Sequence, residues 1–319
     1  MTQNRELQGR RLKLLYGFIR LTARLGLTPT ADKIASLPID KRKANKAARW
    51  TTLPLPPDVA MSYGSIAARS GPLTIKTYQP PRLKPDVPRV LFLHGGGWIT
   101  GGVDTLDHLC ANVCRAAQCM IVSVDYRLAP ETPFPGGLED CHDALQWLAS
   151  DPSLGPAPAS GIAVIGESAG ANLAAALCLL GAQCGGAPIR HQTLIYPCVD
   201  ATLESPSMAD GPPGFQKKDI ACLIDMYRGS ASLTDPLLSP MHAASHAGLP
   251  PALIITADLD PARDDGARYA RLLGEAGVPV RYINYPGMPH GFFFIPRIAS
   301  AAMAGIAEIS NEIAALAQR

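Results

Sequence analysis

The sequence predicts an α/β fold, a mainly parallel sheet covered by helices on both faces, from three observations. Short apolar, strand-like runs recur along most of the chain, helix-like segments alternate with them, and the apolar share of 47% is enough for a large core. Apolar strands alternating with helices are what a buried parallel sheet requires, because each crossover helix covers one face of it. The 319 residues fit one large α/β domain with a lid.

The strand-like runs are LTIKTY (73–78), RVLFLHG (89–95), CMIVSVDY (119–126), GIAVIGE (161–167), HQTLIYP (191–197), PALIITAD (251–258) and VRYINYP (280–286). Helix-like segments lie between or after them near 104–118, 137–150, 169–183, 262–275 and 299–318. Two regions break the rhythm. Residues 1–48 are helical and basic, and residues 201–235 insert SPSMADGPPGFQ and a helical KKDIACLIDMYRG. Both are read as a helical cap over the carboxyl ends of the strands, where open α/β sheets place their sites. The core is then 49–200 and 236–319, with PLPPD (54–58) as its joint to the N-terminal cap segment.

Charge and composition exclude several classes. A net charge of +2, with no dominant basic block and only 6% aromatic residues, argues against nucleic-acid binding. No apolar run is long enough for stable membrane insertion. Lys13, Arg20 and Arg24 interrupt the N-terminal apolar stretch, so it lacks the continuous apolar region of a signal peptide and a cytoplasmic location is expected. Leu14, Leu15, Phe18, Ile19 and Leu21 fall on one helical face. That face either packs on the protein or lies on a membrane surface, and packing is the commoner fate. The eight cysteines are expected as free thiols. His108, Cys110, Cys114 and Cys119 cluster, but no second ligand pair has zinc-like spacing, so no metal is expected.

The chemistry starts at GESAG (166–170), where Ser168 stands between two glycines. A lone G-x-S-x-G arises easily by chance. Here IAVIG is a strand and ANLAAALCLL a helix, which puts Ser168 at the strand-to-helix turn of a nucleophile elbow. A serine hydroxyl needs a base. His290, in GMPHGFFF after the last strand-like run, has the right chain position, whereas the other histidines sit in or beside apparent elements. The histidine needs an orienting carboxylate, and ADLDPARDD (257–265) offers Asp258 and Asp260 once Asp264 and Asp265 are assigned to a first helical turn. Asp260, before Pro261, equally suits a helix N-cap, so residue chemistry leaves the two aspartates level. LHGGGW (93–98) ends a buried strand with three glycines, as in an oxyanion loop, and His94 is expected to hold that loop rather than act as base.

Taken together, HGGGW, VDYRLAPETPFP (124–135), GESAG, DPARD and HGF resemble the hormone-sensitive-lipase-like (bacterial family IV) esterases of the α/β-hydrolase superfamily. The resemblance runs from about residue 60 to the C-terminus. It implies an α/β-hydrolase fold, a mainly parallel eight-stranded sheet flanked by helices with a helical cap. It also implies a serine carboxylesterase with Ser168, Asp260 and His290 as its catalytic residues and the N–H groups of Gly96, Gly97 and Ala169 as its oxyanion hole. Arg127 and Glu131 would brace the loop beneath the site. The expected partner is a small-molecule ester, no cofactor is implied, and a homodimer is compatible with the family. An amidase or deacetylase would use the same triad. A non-catalytic receptor on this fold, as in plant gibberellin receptors, would lack the histidine that is present here. Glu167 departs from the aspartate that many members carry before the serine. Trp98, Met208, Phe215, Tyr227 and Phe292 are the candidate pocket liners.

Overall fold

The computed structural model describes residues 7–43, 48–84, 86–156, 158–184, 187–212 and 215–318. Parts of the expected cap, at 1–6, 44–47 and 213–214, therefore lie outside the described residues. The chain opens with helices α1 (Arg10–Arg24), α2 (Ala31–Ala35), α3 (Ile39–Lys43) and α4 (Ala48–Thr51). Strands β1 (Ala60–Ala68), β2 (Gly71–Gln79) and β3 (Arg89–Leu93) follow, then α5 (Asp107–Ala117), β4 (Ile121–Val124), α6 (Gly136–Ser150) and β5 (Ile162–Glu167). The second half runs α7 (Ala169–Cys184), β6 (Ile189–Ile195), α8 (Lys217–Arg228), β7 (Ala252–Leu259), α9 (Arg263–Glu275), β8 (Val280–Pro289) and α10 (Ala301–Ala315).

The eight strands form one sheet in the order β1-β2-β4-β3-β5-β6-β7-β8. β2 pairs antiparallel with both β1 and β4, and every other pairing is parallel. β1 is the strand the sequence reading passed over. It is a sheet edge exposed over most of its length, so AMSYGSIAA carries no apolar run to betray it. One buried cluster covers each face of the sheet, one built on α6, α7 and α9 and the other on α5 and α10.

The topology fixes where chemistry can occur. From β3 the chain moves to β4 on one side and then crosses to β5 on the other, so the loops leaving β3 and β5 face each other. That reversal is the position at which open α/β sheets bind ligands. The two cap segments meet there: α2 packs on α8, and the Cys222 thiol donates to Asp32 at 3.2 Å.

Helix α1 divides the apolar face expected of it. Leu12 is buried, and Leu15, Tyr16 and Ile19 are half-buried, whereas Leu14, Phe18 and Leu21 stay exposed. Of the His/Cys cluster at which no metal is expected, His108, Cys110 and Cys114 are buried on α5 while Cys119 follows the helix. The His108 Nε2–H donates to the Phe293 carbonyl at 2.7 Å, which gives the ring a structural partner.

Candidate active site

Ser168 stands between β5 and α7 with φ +53°, in the left-handed region that L-residues avoid. The turn is held by its N–H bonding to the Ile195 carbonyl at 2.9 Å. The flanking glycines are required by space. A Cβ on Gly166 would meet the Gly170 carbonyl oxygen at 2.2 Å, and one on Gly170 would meet the Leu93 oxygen at 2.0 Å. Helix α7 can therefore press against β3 and β5 while the strained serine is pushed forward.

Three side chains converge from three strand ends. Ser168 Oγ lies 2.9 Å from His290 Nε2, and His290 Nδ1 lies 2.7 Å from Asp260 Oδ2. Asp260 is fully buried, and its other oxygen accepts the Ala262 N–H at 2.8 Å. Of the two aspartates, Asp260 is the one hydrogen-bonded to the imidazole. Asp260 closes a tight turn to Ala262 and does not cap α9, which starts at Arg263, and its free oxygen reaches the imidazole. Asp258 points elsewhere, with one oxygen accepting the Gly287 N–H at 3.2 Å.

Burial pulls the His290 pKa down, but the Asp260 carboxylate, through its charge and hydrogen bond and aided by Glu167, holds it above the ordinary histidine value. Phe215 stacks on one side of the imidazole at 4.1 Å between ring centroids, and Tyr196 tilts against it at 4.5 Å. A neutral His290 hydrogen-bonded to a serine hydroxyl, with a carboxylate behind it, can remove that hydroxyl's proton.

The loop after β3 supplies the opposite wall. Gly96 and Gly97 have φ +123° and +59°, and they line the same cavity as Ser168 and His290. Ala169 opens α7, so its N–H has no intrahelical acceptor. His94 is fully buried, accepts the Tyr126 hydroxyl on its carbonyl at 2.6 Å and stacks on the Tyr126 ring. Burial pushes its pKa down to about 4, so it is neutral and supports the loop. Arg127 pairs with buried Asp140 at 2.8 Å, and Glu131 pairs with Arg42.

Arg42 is a residue that sequence reasoning missed. From α3 its buried guanidinium donates to the carbonyls of Ile99 and Ala129, both at 2.8 Å, tying the N-terminal segment to the loop after β3. Lys43 beside it pairs with Asp125 at 2.7 Å. Neither belongs to a motif, and a basic run on a short helix reads as solvated surface.

The cavity holds about 240 Å³ and is walled by Pro29, Ala31, Ile34, Phe215, Leu223 and Phe294 around Ser168 and His290. Of the expected liners only Phe215 faces it. Phe292 is fully buried against Tyr285 and Tyr196, because the short turn Phe292–Phe294 sends Phe294 to the cavity instead. Trp98 stacks on buried Tyr227 at 4.6 Å. Trp98 and Met208 line a neighbouring pocket of about 10 Å³, room for roughly one water.

Glu167 is fully buried and also lines the main cavity. Among the described residues neither carboxyl oxygen has a hydrogen-bond partner of good geometry, although the Gly95 N–H and the Tyr196 hydroxyl lie near enough to favour its charge. Burial dominates and pushes its pKa up to about 7, against the opposing pull of His290. Its negative form raises the His290 pKa, so Glu167→Gln should move the acidic limb of the kcat/KM profile to lower pH. An unmoved limb in that profile would disprove the coupling.

Comparison with known proteins places this arrangement. The family model for the alpha/beta hydrolase fold matches residues 90–294. Over 252 residues the chain is 39% identical to carboxylesterase NlhH of Mycobacterium tuberculosis, covering 76% of this chain and 79% of that protein. It is 34% identical to an ethyl acetate hydrolase of Pseudomonas putida, with 76% and 78% covered. A solved alpha/beta hydrolase enzyme from the metagenome of Lake Arreo, Spain, superposes with a TM-score of 0.88 at 32% identity, covering 98% of this chain and 99% of that one. A family match across most of the sheet, with relatives of this identity over three quarters of the chain, leaves one assignment: the chain belongs to the α/β-hydrolase superfamily, in its hormone-sensitive-lipase-like branch.

Proposed function

We propose that this carboxylic ester hydrolase works through a covalent acyl-serine on Ser168, with His290 as general base and acid and Asp260 as its orienting carboxylate. The observation that carries the reading is the unbroken path from Ser168 Oγ to His290 Nε2 at 2.9 Å and from Nδ1 to Asp260 at 2.7 Å. Ser168 Oγ attacks the acyl carbonyl as its proton passes to Nε2. The N–H groups of Gly96, Gly97 and Ala169 receive the oxyanion, each worth about 3–4 kcal/mol in the transition state. The proton on Nε2 then goes to the departing alcohol, and water, deprotonated by the same nitrogen, releases the acid. Asp260 stays ionised and fixes the tautomer that leaves Nε2 free to accept.

The preferred substrates are small esters with acetyl to hexanoyl chains. We read 1–48 and 201–235 as a cap on a core of 49–200 and 236–319, and in support the described residues Ile34, Phe215 and Leu223 line the same cavity as Ser168. Each added methylene should raise kcat/KM by up to about fourfold, from ~0.8 kcal/mol of burial, until the cavity is full. A p-nitrophenyl ester series from acetate to laurate tests this. A maximum at short chains followed by a fall is expected, and a rise continuing to laurate would contradict the closed pocket.

A further inference from the structure

We propose that the outer face of α1 is a docking surface for an anionic lipid membrane, which goes beyond the reading of the site and does not depend on its chemistry. The helix shows two apolar faces with different fates. Its inner face, with Leu12 buried and Tyr16 packed into the core on the α5 and α10 side, holds it to the protein. Its outer face presents Leu14, Phe18, Leu21 and Leu25 at 66%, 64%, 54% and 64% exposure. At about 100° per residue these four positions fall in one narrow stripe along the helix. Among the described residues nothing packs over that stripe, and four large exposed side chains in register are more than scattered surface residues.

Charge selects the occupant. α1 carries five cations, Arg10, Arg11, Lys13, Arg20 and Arg24, and no acidic residue. Lys13, Arg20 and Arg24 form a row beside the stripe, and Arg10 and Arg11 bracket its start, by the same helical spacing. An apolar stripe flanked by cations suits the boundary between acyl chains and anionic headgroups. A second copy of the chain suits it poorly, because a two-fold interface sets the same patch against itself and would oppose five cations to five. No described helix is long and apolar enough to cross a membrane, so the contact proposed is with the surface.

The position of the stripe relates it to the site. Beyond Leu25 the exposed Leu27 leads into Pro29 and Ala31, which line the cavity containing Ser168. A membrane held against α1 therefore lies beside the part of the cap that walls the cavity, and esters partitioned at a lipid surface are the substrate class such docking favours.

The test is flotation of the full-length protein with phosphatidylcholine vesicles, with and without phosphatidylglycerol. Binding to the anionic vesicles alone is expected, weakened at about 0.5 M salt, where screening shortens charge interactions to a few ångströms. Phe18→Ser with Leu21→Ser should lower the partition coefficient by about tenfold or more. Unchanged hydrolysis of a soluble ester by the variant would show that it folds. Arg20→Glu with Arg24→Glu should abolish the anionic preference, which keeps the test decisive if the first variant fails to fold. Absence of binding to anionic vesicles, or binding indifferent to both variants, overturns the proposal. So does a dimer that Phe18→Ser converts to monomer without vesicle binding, which would assign the stripe to a second copy.

Discussion

Ser168→Ala is expected to abolish hydrolysis of p-nitrophenyl acetate and butyrate, with a loss in kcat on the order of 10⁶. In the proposed mechanism the hydroxyl oxygen is the attacking atom, so the base and oxyanion donors have nothing to act on without it. Alanine also adds no bulk to a turn in which Gly166 and Gly170 already leave no space for another atom. The fold should therefore survive, and removing a non-glycine φ of +53° is not at issue because alanine inherits the same strain. An unchanged thermal transition beside an absent rate is the predicted pair of measurements. Retained hydrolysis in a folded variant would show that another group does the chemistry.

Asp260→Asn should lower kcat by about 10⁴ while leaving KM within a few-fold. The amide can still accept the Ala262 N–H, so the turn persists, but an NH₂ presented to His290 Nδ1 favours the tautomer whose Nε2 carries the proton. That nitrogen then donates to Ser168 and cannot take its proton. Loss of the carboxylate also removes what holds the His290 pKa above its ordinary value, so residual activity should persist to lower pH than in the parent. Asp258→Asn is the contrast. Its carboxylate meets the Gly287 N–H and not the imidazole, so steady-state kinetics should show an effect of tenfold or less. A reversed ranking would move the orienting role to Asp258.

Local chemistry made part of the site legible in the sequence. The strand-to-helix turn at Ser168, the glycines after β3 and the histidine after the last strand each carry a short-range signature, and Ser168, His290, Gly96 and Gly97 line one cavity. The Asp258–Asp260 choice was not legible from residue chemistry. Both aspartates sit at the same strand end, and only the direction of a side chain separates them. β1 was missed because an exposed edge strand needs no apolar pattern. The cavity walls were hardest to read. Ala31, Ile34 and Leu223 line the serine's cavity through packing between segments far apart in the chain, whereas the aromatic Trp98 and Phe292 are buried away from it. Glu167 departs from the family's usual aspartate, but its consequence depends on burial and on the charge of His290, which no motif encodes.

Arg42 carries a consequence for how such enzymes can change. It fastens α3 to the carbonyls of Ile99 and Ala129, so the segment whose Pro29, Ala31 and Ile34 line the cavity also holds the loop that carries Gly96 and Gly97. In the proposed mechanism, substrate preference and catalytic power thus share one mechanical link. An N-terminal cap transplanted from another esterase would have to bring its own donor for those two carbonyls. Without it, a redesign aimed at selectivity would be paid for in turnover.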